Sequence, residues 1–249
     1  MCLPNLTRLL SWPVVPGCDS CTARSMLTSV TASIIVPWLR LRPRTVRPEP
    51  LSDHAMRLHV PGHQATKGQF VRLSSSPLFE THSFAAIANR DDPESVSVIV
   101  SNAGDWTSNV IQRPPTRLWT RGQLQYGAIC VATLFQPVLL VATGSGIAPC
   151  LSLFYGSPNF KCRVLWSASR PLATYGQPIV DTVRDHDPDA VIIDTRVAGR
   201  PDLVKESYWM YKAVGAEAVV VISNAVVTRK IVYGLESRGV PTFAPIFDS

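Results

Sequence analysis

The chain has 249 residues, of which 46% are hydrophobic, so it is long enough for two domains of ordinary size, each with its own core. Its formal net charge is +6, and most of the excess lies in residues 1–50, which contain six arginines against two acids. Because the remainder is close to neutral, the charge gives little reason to expect nucleic acid as a partner. The basic first segment favours an anionic lipid surface instead.

Cysteines are spread irregularly, without the framework of small secreted domains, which predicts a reduced, intracellular protein. Cys18 and Cys21 have the spacing of a metal or redox pair. No second pair or histidine partner follows to complete four ligands. We therefore predict no metal site.

Residues 1–50 are interpreted as a basic, partly apolar leader and a linker. The apolar run 26–39 has 14 residues, short of the roughly 20 needed to cross a bilayer. Four arginines follow it, as on the cytoplasmic side of a membrane helix, so the run is typical of the stub of a span. Residues 42–50, with three prolines, are predicted to form a stiff linker. A secretory signal is less favoured, because the run comes late and prolines precede it.

Residues 51–135 are predicted to form an antiparallel β-sheet or β-barrel. Short β-type runs are separated by clusters of Gly, Pro, Asn and Asp, a pattern typical of antiparallel sheets and barrels. The runs are AMRLHV, QFVRLS, HSFAAIA, SVSVIVS and TRLWTR.

Residues 136–249 show a different pattern, in which continuous apolar runs alternate with helical stretches. Runs without polar alternation are what strands buried on both faces require, so this half is predicted to be a parallel five-stranded α/β domain. The clearest runs are VLLVAT, RVLWSAS, AVIIDT and AVVVIS.

The strongest chemical signal is the glycine turn that follows the first of these runs. Thr143, Gly144, Ser145 and Gly146 lead into a helix with Pro149 in its first turn. Two glycines let the backbone turn and approach a ligand closely, so that the helix N-terminus can present free N–H groups to a pyrophosphate. The alternative is a plain tight turn between a strand and a helix.

A residue about 20 positions beyond the glycines meets the adenosine ribose in dinucleotide sites, where an acid favours NAD and an arginine accommodates the NADP phosphate. Here that region contains Ser169 and Arg170 and no carboxylate. Arg170, helped by the Ser169 hydroxyl, is a candidate for the 2′-phosphate, the alternative being a solvated loop arginine.

From about Ser52 onward these motifs resemble the ferredoxin–NADP reductase superfamily, and within it the membrane flavoproteins of the ferric-reductase and NADPH-oxidase type. The run 134–151 and the segment 37–42 look closest to the fungal TmpA-like membrane proteins. The same region occurs at the end of some fungal adenylate-forming, nonribosomal-peptide-synthetase-like proteins.

The resemblance implies that FAD and NADP(H) bind and that electrons pass from NADPH through the flavin to an unknown acceptor near a membrane. Segment 67–70 resembles the family's glycine–glutamine–aromatic strand, and 82–85 lies where the family has its histidine-containing flavin motif. Segment 104–107 resembles the start of the helix under the flavin pyrophosphate. The implied FAD residues are Phe70, His82, Ser83, Phe84, Ala85, Gly104, Trp106 and Thr107.

Departures from the family leave alternatives open. Ala85 replaces the Ser or Thr hydroxyl that meets the flavin N5, and Ser223-Asn224 replaces the usual Cys-Gly beside the nicotinamide. Ser223 is then the candidate catalytic residue, with Asn224 as a cofactor contact. The alternatives are a catalytically degenerate flavin or nucleotide module, and a truncated fragment of a membrane protein or an adenylate-forming reductase.

Overall fold

The computed structural model describes residues 19–89, 92–157 and 159–245. The first helix, α1 (Asp19–Leu39), contains the predicted apolar run and ends just after Pro37. Across the described ranges, no helix combines the length and the hydropathy that a membrane span needs. Cys18 of the predicted cysteine pair lies outside the described residues.

Two antiparallel sheets form the first half of the fold, and each takes strands from distant parts of the chain. One has the order β1-β8-β4-β5, with β9 paired to β4, and the other the order β2-β3-β7-β6. The strands are β1 (Arg42–Thr45), β2 (Arg47–Ser52), β3 (Ala55–Pro61), β4 (Gln69–Ser74), β5 (His82–Ala85), β6 (Ile87–Ala88), β7 (Ser95–Ser101), β8 (Arg117–Thr120) and β9 (Gln125–Tyr126).

One apolar core joins the two sheets. Leu58 and Val98 from one sheet and Leu73 from the other are fully buried in the same cluster. Helix α2 (Asp105–Gln112) closes this core with Trp106 and Val110, the two buried residues of its amphipathic face. The alternating side chains of each strand thus meet across two layers, as the period-2 pattern requires.

The interpretation of residues 42–50 as a linker was wrong, because these residues form β1 and most of β2. Strand β1 pairs with β8 alone and β2 with β3 alone, so both lie at sheet edges. A proline cannot donate to a ladder, but it is tolerated in an edge strand, where one row of N–H groups needs no partner. Pro50 also adjoins a register shift in β2. Val46, between the two strands, is buried in the barrel core.

A parallel five-stranded sheet forms the second half, with the order β12-β11-β10-β13-β14. The predicted two-domain α/β class, an antiparallel barrel followed by a parallel sheet, is therefore confirmed. The strands are β10 (Val138–Thr143), β11 (Cys162–Ala168), β12 (Val191–Asp194), β13 (Ala218–Ile222) and β14 (Thr242–Phe243), and the helices are α3 (Ile147–Gly156), α4 (Pro171–Tyr175), α5 (Gln177–His186), α6 (Leu203–Val214) and α7 (Ala225–Glu236).

The surroundings of strand β10 explain why its residues 138–142 are all apolar. Val138 and Leu140 face the cluster that holds residues of α3 and α5, whereas Leu139 and Val141 face the cluster that holds residues of α6 and α7. Both faces of the strand are therefore covered by helices. The first cluster also includes Ile87 of the barrel, so the two halves share a core. The barrel begins with β1, before the proposed bound at residue 51, and the proposed boundary between residues 135 and 136 remains a prediction.

Candidate functional site

The glycine turn lies at the carboxyl end of β10, where a short 3-10 turn over Gly144–Gly146 leads into α3. Gly144 has a positive φ of 52°, which a residue with a side chain rarely adopts. A Cβ on Gly146 would lie 2.3 Å from the Ile222 carbonyl oxygen, so this position also needs glycine. The Trp166 indole N–H donates a hydrogen bond to the Gly144 carbonyl oxygen at 2.9 Å and stabilises the turn. Pro149 lies in the first turn of α3.

The turn lies at the topological switch point of the sheet, because β10 has β11 on one side and β13 on the other. Across this boundary the hydroxyl oxygens of Thr143 and Ser223 are 2.5 Å apart. Asn224 is the N-cap of α7, and its side chain accepts a hydrogen bond from the Val227 N–H at 3.0 Å. The fold therefore brings Ser223 to the same edge of the sheet as Thr143 and the adjacent glycine turn, although Ser223 lies 80 residues further along the chain than Thr143.

The ends of β11 and β12 form a second group of polar residues at this edge. Arg170, the N-cap of α4, has a left-handed backbone with φ of 46°, unusual for a residue with a side chain. Its N–H donates to Asp194 Oδ1 at 2.9 Å, and the same oxygen accepts from the Arg196 N–H at 2.8 Å. These backbone hydrogen bonds lower the pKa of Asp194 below its ordinary value.

Arg196 is a candidate that the sequence analysis missed. Its Nε donates to the Ser169 hydroxyl at 3.3 Å, so Arg196 lies beside the two residues predicted to read a 2′-phosphate. The signal was present in the run AVIIDTR, since the residues after adjacent parallel strands meet at one edge. The Asp194 carboxylate accepts hydrogen bonds from the backbone N–H groups of Arg170 and Arg196 and so holds the two loops together.

In the barrel, two predicted flavin residues contact a third, Trp106. His82 stacks on Trp106 with ring centroids 4.4 Å apart, and Phe84 lies against the same indole at 5.7 Å. The Trp106 indole N–H donates to the Ser75 hydroxyl at 3.0 Å. The His82 Nε2 also lies 3.3 Å from a Glu80 carboxylate oxygen.

Thr107 stabilises the beginning of α2. Its hydroxyl oxygen accepts hydrogen bonds from the N–H groups of Gly104 at 2.9 Å and Ala103 at 3.0 Å. The N-terminus of α2 is therefore a pre-formed turn, and the acidic Asp105 lies in its first turn. An anion bound at this helix end would be attracted by the backbone N–H groups and repelled by Asp105.

The remaining predicted flavin residues of β4 and β5, which are Phe70, Ser83 and Ala85, lie on the other face of this sheet. Strand pairing places Phe70 opposite Ala85 and Arg72 opposite Ser83. The Arg72 guanidinium lies 5.6 Å from the centre of the Phe70 ring, and Ala85 packs against the core that the two halves share. The structure thus divides the predicted flavin residues of β5 between the two faces of that strand. Arg72 is a cation on this face that the sequence analysis did not select.

The residues present fit the two implied cofactors unequally. The glycine turn and the arginines at the strand ends fit a dinucleotide that carries phosphates. The start of α2 and the aromatic residues fit part of a flavin dinucleotide, but the Ala85 methyl offers no hydrogen-bond donor. Two cavities, of about 590 and 480 Å³, lie elsewhere, and neither is lined by a predicted site residue.

The arrangement of a barrel before a parallel sheet is the fold of the ferredoxin–NADP reductase-like flavoprotein reductases. A ferredoxin NADP+ reductase from Neisseria gonorrhoeae, solved with bound FAD and NADP, superposes with a TM-score of 0.65 and 12% identity over 83% of this chain and 98% of that one. Phthalate dioxygenase reductase gives a TM-score of 0.62, 12% identity and coverage of 84% and 70%. At these identities the similarity shows the fold alone.

Sequence similarity is to the adenylate-forming reductases. Residues 128–249 match the family model described as adenylate-forming reductase 03009, C-terminal domain. Adenylate-forming reductases 03009 and 06235 of Coprinopsis cinerea are 45% and 46% identical to this chain over 220 residues, which is 88% of the chain and 21% of each relative. The chain therefore spans about a fifth of the length of these curated relatives. The resemblance to TmpA-like membrane proteins stays a prediction.

Proposed function

We propose that this chain is a reductase-type module that binds NADP(H) at the carboxyl edge of its parallel sheet and FAD on its barrel. Electrons would pass from NADPH through the flavin to an acceptor that is not identified. The observation that carries the proposal is the glycine turn at the switch point, where the backbone at Gly144 and Gly146 excludes other residues.

Each group at this edge has a distinct role in the proposal. The N–H groups that begin α3, around Ser145 and Gly146, bind the dinucleotide pyrophosphate. Arg170 and Arg196 bind the 2′-phosphate, together with the Ser169 hydroxyl. Thr143, Ser223 and Asn224 border the nicotinamide ring. Ser223 orients the ring, and its hydroxyl shares a hydrogen bond with the Thr143 hydroxyl.

The barrel would hold FAD through the start of α2 and the strands β4 and β5. Gly104 and Thr107 position the pyrophosphate, and His82 and Trp106 contact the middle of the cofactor. Phe70, Ser83, Phe84 and Ala85 border the ring. When bound, FAD supplies the chemistry that converts a hydride into single electrons for the acceptor.

Flavin absorbance and reductase activity test this proposal together. Purified protein should bind FAD saturably at micromolar levels and catalyse NADPH-dependent reduction of ferricyanide. Protein that binds NADPH, does not bind FAD and does not reduce ferricyanide would instead support the second candidate, a degenerate nucleotide-binding module. The absence of a hydroxyl at Ala85 is the observation that favours this second candidate.

Restoring the hydroxyl should reveal how far Ala85 limits the reaction. We expect Ala85→Ser to accelerate reduction of bound FAD by NADPH, because a misplaced reacting centre can cost on the order of 100-fold. Stopped-flow absorbance measures the rate, and FAD affinity should change little because Ala and Ser differ little in volume. Ala85→Val, which adds volume without a donor, is the control and should give no acceleration. An unchanged rate in Ala85→Ser would show that another position limits the reaction.

The two arginines should distinguish NADPH from NADH. Arg170→Ala and Arg196→Ala are each expected to weaken NADPH by roughly tenfold to a hundredfold, since a hydrogen bond to a charged group contributes about 1.5–3 kcal/mol. NADH affinity should stay nearly constant, as should both affinities in Arg184→Ala, which removes an exposed arginine of α5. Equal losses for the two nucleotides, measured by calorimetry, would place these arginines outside the site.

A role within a longer protein follows from the similarity to the adenylate-forming reductases. We infer that the module acts inside the cell as the reductase-like region of such a protein, where an attached domain or a separate protein supplies the electron acceptor. Membrane association through the basic residues of the first segment is a further part of this proposal.

A further inference from the structure

A cavity of about 480 Å³ lies at the end of the barrel, beside the junction with α1, apart from the residues proposed to bind NADP(H) and FAD. Its walls come from the segment around β1, the loop between β3 and β4, and the loop between β8 and β9. Arg40, Arg42 and Arg44 line it together with His63, and glutamines 64, 69 and 123 complete its polar wall. Among the residues that the structure describes, no acid lines the cavity.

The cavity's cations are not neutralised by carboxylates. Within the described part of the chain, none of the three arginines forms an ion pair with an acid; the ion pairs involve other residues. Arg42 is partly engaged, because its Nη1 donates to the carbonyl oxygens of Leu39 at 3.0 Å and Leu41 at 2.9 Å. Arg40 and Arg44 therefore keep most of their donors for a ligand.

Arg44 and His63 each hold a buried nitrogen without a hydrogen-bond partner, Nε in Arg44 and Nε2 in His63. Burying such a group without a partner costs free energy, and an acceptor that reached the Arg44 Nε would remove part of that cost. The Arg44 guanidinium is also held in place, because it packs directly against the backbone at Gly62, where an added Cβ would lie 2.3 Å from Nη1. Burial and the charge of Arg44 both lower the pKa of His63.

We propose that this cavity is a second anion site that binds a phosphate-bearing ligand with at least two negative charges. Arginine forks match the geometry of phosphate oxygens, and converging arginines without a carboxylate select a polyanion over a neutral ligand. The phosphate could belong to a soluble phosphate ester or to a lipid headgroup. Because α1 ends at this cavity, the ligand would join α1 to the barrel.

Two probes distinguish the sources. Inorganic pyrophosphate, titrated into the full chain by calorimetry in the presence of saturating NADP+, should bind saturably if the ligand is soluble. Vesicles of phosphatidylcholine with phosphatidic acid should retain the protein, and vesicles of phosphatidylcholine alone should not, if the ligand is a lipid.

Charge-removing variants test the site itself. Arg44→Gln and Arg40→Gln should each weaken the bound probe roughly tenfold or more, whereas Arg184→Gln, with the same charge change on α5, should stay within about twofold of the wild type. Arg44→Lys should restore only part of the affinity, because an ammonium lacks the planar fork. Thermal unfolding checks that each variant is folded. Failure of both probes, or an equal loss in Arg184→Gln, would overturn the proposal, and neither result depends on FAD binding or reductase activity.

Discussion

Removal of residues 1–50 is expected to unfold the barrel, although composition alone marks this segment as a leader. The truncation deletes β1 and most of β2, and with them the ladders to β8 and β3. It also removes Val46, which is 3% exposed in the core. Burying one such side chain contributes about 1.5–3 kcal/mol, and each lost ladder hydrogen bond adds about 1 kcal/mol. Together these losses are comparable with the whole stability of a domain, about 5–15 kcal/mol.

A shorter truncation is the matched control. Removal of residues 1–39 keeps both strands and deletes α1. This helix contacts the barrel through the Trp38 ring, 4.1 Å from the Arg121 guanidinium, and through the Leu39 carbonyl oxygen, which accepts from Arg42. Such a cation–π contact contributes about 0.5–2 kcal/mol, so this variant should still unfold cooperatively. Circular dichroism during heating measures the unfolding temperature and the cooperativity of unfolding of both variants. A cooperative transition at the wild-type temperature after removal of residues 1–50 would show that β1 and β2 are dispensable.

Substitution Gly146→Ala is expected to weaken dinucleotide binding strongly. The new Cβ would lie 2.3 Å from the Ile222 carbonyl oxygen and 3.1 Å from its carbon, and both are backbone atoms that cannot swing away. Either the turn or the end of β13 must move, and overpacking of this kind costs about 1–3 kcal/mol. The displaced N–H groups would no longer converge on a pyrophosphate, so NADPH affinity should fall by at least tenfold.

The control for this variant is Gly104→Ala in the barrel. Gly104 has an extended backbone, and a Cβ there would meet nothing within 4 Å. NADPH affinity, measured by calorimetry, should therefore be unchanged in Gly104→Ala. Wild-type affinity in Gly146→Ala, in a folded protein, would mean that the dinucleotide binds away from this turn.

The architecture could be predicted because its strongest signals are local. The run VLLVA at 138–142 is apolar at every position, and the structure places helices on both faces of that strand. The glycine turn could also be predicted, because a tight turn between a strand and a helix needs residues without a side chain at Gly144 and Gly146. Strands of two residues, such as Gln125–Tyr126 and Thr242–Phe243, carry too little pattern to be recognised individually.

Other features depend on pairing between distant segments and could not be predicted. The prolines at 43, 48 and 50 argue against strands until the partners β8 and β3 show that both strands lie at edges. Arg196 joins Ser169 only because β11 and β12 are neighbours in the sheet. In β5 the sequence motif reads as one unit, whereas the pleat turns His82 and Phe84 away from Ser83 and Ala85.

Equilibrium binding of NADP+ to the purified chain, measured by isothermal titration calorimetry, tests the assignment of the parallel sheet most directly. One saturable site is expected, weakened at least tenfold in Gly146→Ala and Arg170→Ala and unchanged in Gly104→Ala. Absence of saturable binding at millimolar NADP+, or binding that none of these substitutions affects, would contradict the assignment of this edge as the dinucleotide site.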